Sequence, residues 1–171
     1  MALIKSVRGF TPKFGKNCFL ADNATVVGEV QMGENCTVWF NAVVRGDVHS
    51  IVIGDNTNIQ DGAVIHGTYQ NNNTVIGSNV SIAHNAVVHG CKVEDNVLIG
   101  MGAIVMDGAV IGQHSVIAAG AVILPGTVVE ERSIYAGLPG KRVKDISPEM
   151  IEVIRRTASN YPMYASWFRN S

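Results

Sequence analysis

Seven polar residues between positions 45 and 89 have side chains suited to metal binding and acid–base chemistry. Three of them are histidines, which bind transition metals through a neutral imidazole nitrogen. The other four supply a guanidinium group, two carboxylates and a side-chain amide. The seven residues are Arg45, Asp47, Gln60, Asp61, His66, His84 and His89. Whether they can act together depends on the elements that hold them.

Aliphatic residues recur at every sixth position, and this repeat determines where each polar side chain points. The repeat runs in blocks from Leu20 to Val129. A period of six fits neither an α-helix, at about 3.6, nor a plain strand, at about 2. It fits short strands joined by corners and wound into a triangular prism with one continuous core. We therefore predict an all-β parallel β-helix rather than a β-sandwich, in which turn signals fall roughly every 8–12 residues.

The repeat divides a single domain into a cap, a prism and a helical tail. Residues 1–19 are expected to form an irregular N-terminal cap, and residues 20–140 to form the β-helix. The prism is expected to have about six coils. Two insertions, Val48 to Val52 and Gly67 to Val75, break the rhythm and predict loops at corners. Residues 141–171 predict a helical segment that packs on the prism.

The C-terminal segment carries the signals of a helix start. Ser147 is a capping hydroxyl, Pro148 occupies the first helical position and Glu149 places an acid in the first turn. Pro162 is expected to kink or end this helix, with a second short turn after it. The helix is apolar on one side, which predicts that it packs on its own prism or on a neighbour's.

Composition excludes several classes of partner. A net charge of −1 and a pI near 6.5 argue against a nucleic-acid or anionic-membrane partner. The three cysteines, an odd count without paired spacing, favour a reducing, cytoplasmic setting. The N-terminus lacks an apolar signal segment, and the uncharged stretch 108–129 keeps the six-residue repeat. We therefore predict no membrane span.

Counting along the repeat places Arg45, His66 and His89 in one outward column. Each directly follows the aliphatic residue of the same face, on three consecutive coils. Coils stack about 4.8 Å apart. Two imidazole nitrogens on one tetrahedral metal lie roughly 3.3 Å apart, because each bond is about 2.0–2.1 Å long. The sequence therefore predicts that His66 and His89 bind one metal ion.

His84 lies on a different face, in the same column as Asp61. One face is up to about 20 Å long, so His84 cannot reach the His66–His89 pair of its own chain. It can reach the pair of a neighbouring chain if the prisms pack side by side, and repetition of this heterologous contact closes a ring. We predict a homotrimer in which three histidines meet at each interface. The fourth position stays open, as in a catalytic zinc site.

Other polar residues surround the predicted metal site. Arg45 and Asp47 lie two positions apart on one edge. They could bridge to charges across the interface, or they could serve only to hold subunits together. Gln60 and Asp61 lie one coil from His84, where they can hydrogen-bond to metal-bound solvent or orient a ligand. Three further residues are expected to be packing, surface or interface residues: Cys91, His49 and His114.

The set Arg45-x-Asp47, Asn58-x-Gln60-Asp61, His66 and His84-x4-His89 resembles the γ-class carbonic anhydrases, especially their bacterial carbonic anhydrase-like branch. The resemblance implies a left-handed β-helix. It also implies a homotrimer with Zn²⁺, or Fe²⁺ or Co²⁺, on two histidines of one chain and one of the next. The activity implied is attack of metal hydroxide on CO₂ to give bicarbonate. The catalytic set implied is Gln60, Arg45, Asp47, Asp61 and Asn58.

Two departures from the family pattern concern proton transfer. Val48 stands where the archetypal pattern has a glutamate, and the loop 67–73 contains no carboxylate. Fast hydration needs a proton route to bulk water, so the alternative of a non-catalytic metal-binding or scaffold trimer stays open. A hexapeptide-repeat acyltransferase is a further alternative, although such enzymes use a lone interfacial histidine as base. A CoA-thioester hydrolase using the same metal site is another.

Overall fold

The computed structural model describes residues 1–168 and shows a left-handed parallel β-helix with one long helix along its side. Most strands are short, because each face of the prism is only a few residues wide. In chain order the elements are β1 Leu3–Lys5, β2 Lys13–Phe14, β3 Phe19–Leu20, β4 Thr25–Met32, β5 Thr37–Val38, β6 Val43–Ile53, β7 Asn58–Ile59, β8 Val64–His66, β9 Thr74–Ile76, β10 Ser81–Ile82, β11 Val87–His89, β12 Lys92–Val93, β13 Leu98–Ile99, β14 Ile104–Val105, β15 Val110–Ile111, β16 Val116–Ile117, β17 Val122–Ile123, β18 Val128–Val129, β19 Ser133–Ala136, β20 Lys141–Asp145 and α1 Pro148–Phe168.

Three stacks of parallel strands form the three faces of the prism. The first face contains β1, β8, β11, β14 and β17, and the second contains β2, β9, β12, β15 and β18. The longer strands β4 and β6 run across both faces and join them into one sheet. The third face contains β3, β5, β7, β10, β13, β16 and β19. These seven strands, one per coil, give the described chain seven coils where the repeat predicted about six.

The aliphatic residues of the repeat fill the interior. Ile59, Ile65, Ile76 and Ile82 follow one another along the chain and are each at most 1% exposed. Burial of one such side chain contributes about 1.5–3 kcal/mol relative to leaving it in water. Because every coil repeats this arrangement, the central column is the main source of stability. It also fixes the outward direction of each neighbouring side chain.

Asparagines form the corner between the second and third faces. Asn35, Asn56, Asn79 and Asn96 have φ values of 55°, 53°, 56° and 57° on four successive coils. This left-handed backbone region costs most residues energy, whereas asparagine tolerates it through local hydrogen bonding. The Asn35 amide also donates to the side-chain oxygen of Asn56 at 3.3 Å. The asparagines between the aliphatic repeats therefore let the chain turn sharply.

The C-terminal helix begins as predicted but continues through Pro162. Ser147 Oγ accepts a hydrogen bond from the Met150 amide at 3.3 Å. The expectation that Pro162 ends the helix is wrong, because α1 extends to Phe168. Buried residues lie on both sides of the proline, at Ile154 and Ala165 among others. This packing against the third face offsets the cost of an interior proline, which is about 3 kcal/mol.

Two other expectations from the repeat are corrected at the start of the chain. Residues 1–19 are not irregular, because Leu3 pairs with Thr25 in β4 and β2 pairs with the end of the same strand. They supply the first coil and satisfy the open edge of β4. The insertion from Val48 to Val52 lies within β6 rather than in a corner loop, since that strand stays paired with β4 across a register shift.

The remaining insertion and the end of the prism complete the fold. Residues 67–73 form a loop closed by a bridge between Thr68 and Asn72, as the broken repeat predicted. After β19 the chain reverses and β20 pairs with it antiparallel. The repeat gave no indication of this last strand, because it carries no aliphatic position of the hexad pattern.

Candidate metal centre

His66 and His89 lie side by side, in register, at the ends of β8 and β11. Their rings are tilted by 59° relative to each other, with Nδ1 of His66 3.1 Å from Nε2 of His89. The side chains are 15% and 33% exposed, so the pair opens to solvent on the first face. The separation is close to the roughly 3.3 Å expected for two ligands of one tetrahedral zinc ion. The column predicted from the repeat therefore brings two of the three predicted ligands together.

A carboxylate contacts the far nitrogen of each ring. Nε2 of His66 is 3.0 Å from Oδ1 of Asp47, and Nδ1 of His89 is 2.9 Å from Oδ1 of Asp107. Because a carboxylate accepts hydrogen bonds, a neutral ring at either place would carry its proton on the far nitrogen. The two nitrogens that face each other would then both present lone pairs. Histidines arranged in this way, with a carboxylate behind each ring, are typical metal ligands.

Asp107 was not recognised from the sequence, although it holds the site together on one side. Its Oδ1 atom also accepts a hydrogen bond from the Thr68 hydroxyl at 3.0 Å, which ties His89 to the 67–73 loop. The close approach of this carboxylate requires a glycine at position 90, since a Cβ there would lie 1.9 Å from Oδ1 of Asp107. The sequence could have indicated Asp107 only through its position in the repeat, one coil beyond His89.

Thr74 is a second residue that the sequence did not indicate. Its hydroxyl donates to the backbone oxygen of His66 and accepts a hydrogen bond from the Gly90 amide at 2.9 Å. It therefore connects the backbone of one histidine to the residue that follows the other. Thr74 is fully buried, so this link is shielded from competition with water.

Arg45 forms its ion pair within the chain, with Asp47. Burial alone would raise the pKa of Asp47. The hydrogen bond from His66, together with the hydrogen bond and charge of Arg45, holds this pKa below its usual value of 3.8. Asp47 therefore stays ionised and available to His66 at any pH near neutral. Pairing of Arg45 across a subunit interface stays a prediction.

His84 lies apart from the pair, at the corner between the third and first faces. Its Nδ1 atom contacts Oδ2 of Asp61 on the coil below at 2.9 Å, which matches the predicted shared column. Its side chain is 44% exposed. Within residues 1–168, no group of three or more histidine, cysteine, aspartate or glutamate side chains is arranged to bind a metal ion. A single chain therefore offers two of the three predicted ligands at one place.

Gln60 and Asn58 lie on the third face, which the C-terminal helix contacts. They are only 4% and 1% exposed. The Gln60 amide donates to Oδ1 of Asn58 at 2.9 Å, and the Asn58 amide donates to the Ser81 hydroxyl at 2.8 Å. This chain of hydrogen bonds fixes the orientation of Gln60. Both amides thus lie next to the His84 column rather than next to His66 and His89.

The remaining histidines and Cys91 lie outside this arrangement. Nδ1 of His49 accepts a hydrogen bond from the Ser50 amide at 2.8 Å, and His49 lies in β6 rather than in a loop. His114 occupies a corner with φ of 58°, and burial together with Arg132 and Arg155 lowers its pKa. Cys91 packs in the core, where burial raises its pKa to about 12.

Comparisons with known proteins identify the class to which this fold and site belong. The family model described as bacterial transferase hexapeptide (six repeats) matches residues 11–46 and 90–125. The hexapeptide transferase family protein from Anaplasma phagocytophilum superposes with a TM-score of 0.93 at 36% identity, covering 97% of this chain and 98% of that one. A Bacillus cereus protein provisionally assigned as an acetyltransferase gives 0.95 at 31% identity, covering 98% and 97%. The chain is thus a hexapeptide-repeat β-helix.

Sequence relatives define the family more narrowly. Carbonic anhydrase from Geobacillus kaustophilus is 35% identical over 167 residues, covering 98% of this chain and 91% of the relative. Gamma carbonic anhydrase 2 of Arabidopsis thaliana mitochondria is 38% identical over 88% of this chain. This chain spans 56% of that plant protein's length. The chain belongs to the γ-class carbonic anhydrase family. None of the helices in residues 1–168 has the length and apolar character needed to span a membrane.

Proposed function

We propose that this protein is a metal-dependent carbonic anhydrase whose sites form between the subunits of a homotrimer. His66 and His89 of one subunit and His84 of its neighbour would hold one divalent cation, Zn²⁺ in the first instance and Fe²⁺ or Co²⁺ as alternatives. The substrate would be CO₂, and the product bicarbonate. The observation that carries this proposal is the pair of imidazole nitrogens 3.1 Å apart.

The chemistry of the donor set fits a cation. Asp47 and Asp107 fix the protons of the two rings on their far sides. The facing lone pairs of His66 and His89 repel each other unless a positive charge lies between them. Imidazole suits zinc, iron and cobalt, whereas calcium and magnesium prefer oxygen ligands. The pair is therefore suited to a transition metal.

The exposed surface of the prism supports assembly through the first face. The C-terminal helix contacts the third face, whereas an outward column of aliphatic residues runs along the first face beside the histidines. Ile104 in this column is 36% exposed, and Leu124, which lies in the histidine column, is 45% exposed. Burial of this column against a neighbour that presents its His84 corner would complete the ligand set. The contact joins unlike surfaces, so three subunits can close a ring.

Each residue near the pair has a separate task in the proposed reaction. His66, His89 and the neighbouring subunit's His84 would hold a divalent cation, which when bound would lower the pKa of water to about 7 and so provide a nucleophile at neutral pH. Asp47 and Asp107 orient the two histidine rings and increase their basicity as ligands. Asn58 holds the amide of Gln60, which would orient CO₂ or solvent beside His84. Arg45 offers a cation for the bicarbonate product close to Asp47.

A metal analysis combined with stopped-flow CO₂ hydration tests the proposal. The purified protein, prepared aerobically and with iron kept reduced, should contain about one metal ion per chain and hydrate CO₂. The His84→Ala variant should lose hydration while sedimentation still shows a trimer. His114→Asn is the matched control, since asparagine occupies the equivalent corner of other coils, and it should retain activity. Absence of metal in both preparations would refute the proposal.

Acyl transfer is the second candidate, because both structural relatives described above carry transferase descriptions. It predicts acetyl-CoA-dependent modification of a small amine or alcohol that survives removal of metal by a chelator. The carboxylate-backed histidine pair has no role in that chemistry, which makes it the weaker candidate. Metal binding without hydration or acyl transfer would instead favour the scaffold role.

A further inference from the structure

Two cysteines lie on adjacent coils at the same position of the repeat. Cys18 and Cys36 are 18 residues apart, which is the length of one uninterrupted coil. The neighbouring residues are paired on both sides: Phe19 is in register with Thr37, and the Asn17 amide donates to Asn35 Oδ1 at 3.3 Å. Adjacent coils are about 4.8 Å apart. This spacing lies within the Cα separation of about 4.4–6.8 Å found in disulfides.

The register of the flanking strands places the two thiol groups next to each other. The interaction with Cys18, together with burial, raises the pKa of Cys36. Each sulfur also lies near a backbone oxygen on the adjacent coil, 3.1 Å from Gly33 for Cys18 and 3.0 Å from Gly54 for Cys36. On two later coils this corner position holds a hydroxyl group that donates in the same way, Thr57 to the Gly77 oxygen at 2.8 Å and Ser115 to the Glu130 oxygen at 2.7 Å.

The thiols differ in access to solvent. Cys18 is partly buried at the first coil, whereas Cys36 is fully buried one coil further in. A reagent can therefore reach Cys18 first, and Cys36 lies directly behind it. Cys91 is also buried but has no cysteine on a neighbouring coil, so it is an internal control.

We propose that Cys18 and Cys36 are a site of reversible covalent modification, at which a low-molecular-weight disulfide converts the thiol pair into an intrachain disulfide. Cys18 attacks one sulfur of the reagent, which forms a mixed disulfide and releases one thiol. Cys36 then attacks the sulfur of Cys18 and expels the second thiol. Two S–H bonds of the protein are replaced by one S–S bond. The two electrons reduce the reagent, and the two protons end on its thiols.

The bridge would join the first coil to the second. The first coil is the end of the prism, with a neighbour on one side only, so it is the coil most prone to open. A cross-link between Cys18 and Cys36 would resist that opening and leave the remaining coils unchanged. The site is separate from the histidine pair, and the inference does not depend on the proposed function.

Oxidised glutathione at neutral pH, added to the purified full-length protein, is the test. Alkylation in denaturant after the reaction should show that the number of reactive thiols per chain has fallen from three to one. Peptide mass analysis should find residues 18 and 36 linked, with Cys91 alkylated. Dithiothreitol should restore all three thiols. In the Cys91→Ser variant, oxidation should consume both remaining thiols, those of Cys18 and Cys36. The Cys18→Ser variant should form no intrachain disulfide.

Three results would overturn the inference. The first is no loss of thiols after prolonged treatment, with all three still alkylated in denaturant. The second is loss of Cys91 at the same rate as the pair. The third is chains cross-linked to one another on a non-reducing gel, with no intrachain peptide in the wild-type protein. Because peptide mapping uses the wild-type chain, the test stands even if a serine variant folds poorly.

Discussion

Replacement of Asp107 by alanine is expected to weaken metal binding by about 10- to 100-fold, the usual effect of removing a partner that orients a metal ligand. Asp107 Oδ1 accepts hydrogen bonds from His89 at 2.9 Å and from Thr68 at 3.0 Å. Its side chain is 36% exposed, so water can replace part of the hydrogen bonding to His89 and Thr68 that the substitution removes. Each tenfold change in affinity corresponds to about 1.4 kcal/mol, so the expected loss is about 1.4–2.7 kcal/mol. Asp107→Asn keeps an acceptor without its charge and should fall between wild type and Asp107→Ala.

Competition with a chromogenic zinc chelator measures this affinity directly, without reliance on catalysis. The matched control is Asp95→Ala, because Oδ1 of Asp95 also accepts a short hydrogen bond, from the Ser78 amide at 2.7 Å, at a corner away from His66 and His89. The control should bind zinc like wild type. An Asp107→Ala variant with affinity within about threefold of wild type would show that Asp107 does not orient His89.

Three further predictions concern stability. Burial, with Asp61 and Tyr164 nearby, raises the pKa of Tyr161 from 10.0 to about 12. The stability that this shift contributes is complete below pH 10 and is lost as the pH rises toward 12. In urea unfolding, Tyr161→Phe should therefore lose less stability at alkaline pH than wild type, with Tyr69→Phe as the control. Asn56→Ala should destabilise the protein by about 1–2 kcal/mol in urea unfolding and Asn56→Gly by less, because φ is 53° at this corner. Ile82→Ala, at a fully buried position, should cost about 2–5 kcal/mol by the same measurement, whereas exposed Val52→Ala should cost far less.

The histidine column could be predicted because the six-residue repeat fixes direction at every coil. Once Ile65 and Val88 are known to lie inside, the residues after them must point outward on neighbouring strands. The repeat also predicts that His84 and Asp61 share a column, because both follow their buried isoleucines by two positions. When every coil has the same geometry, residue spacing alone is enough to predict which side chains share a column.

The parts that could not be predicted lie where the repeat changes length. Asp107 reaches back to His89 across Gly90, in a region where the spacing is one residue shorter. The first coil carries few aliphatic markers, so Leu3 and Phe14 gave no regular signal. Pro162 was judged by its local effect alone, whereas Ile154 and Ala165 hold the helix against the prism on both sides of it. In each case tertiary packing decided the outcome.

The antiparallel strand β20 limits how long this solenoid can grow. A parallel β-helix ends in a strand with free backbone groups, and another chain can add to such an edge indefinitely. Here the chain turns back at Gly137 and lays β20 along β19 in the opposite direction. The new edge carries Lys141, Arg142 and Lys144, and all five residues of the strand are exposed. A second chain that added its first coil to this end would have to cover these exposed charged side chains, so the antiparallel strand disfavours end-to-end growth of a core built from an extendable unit.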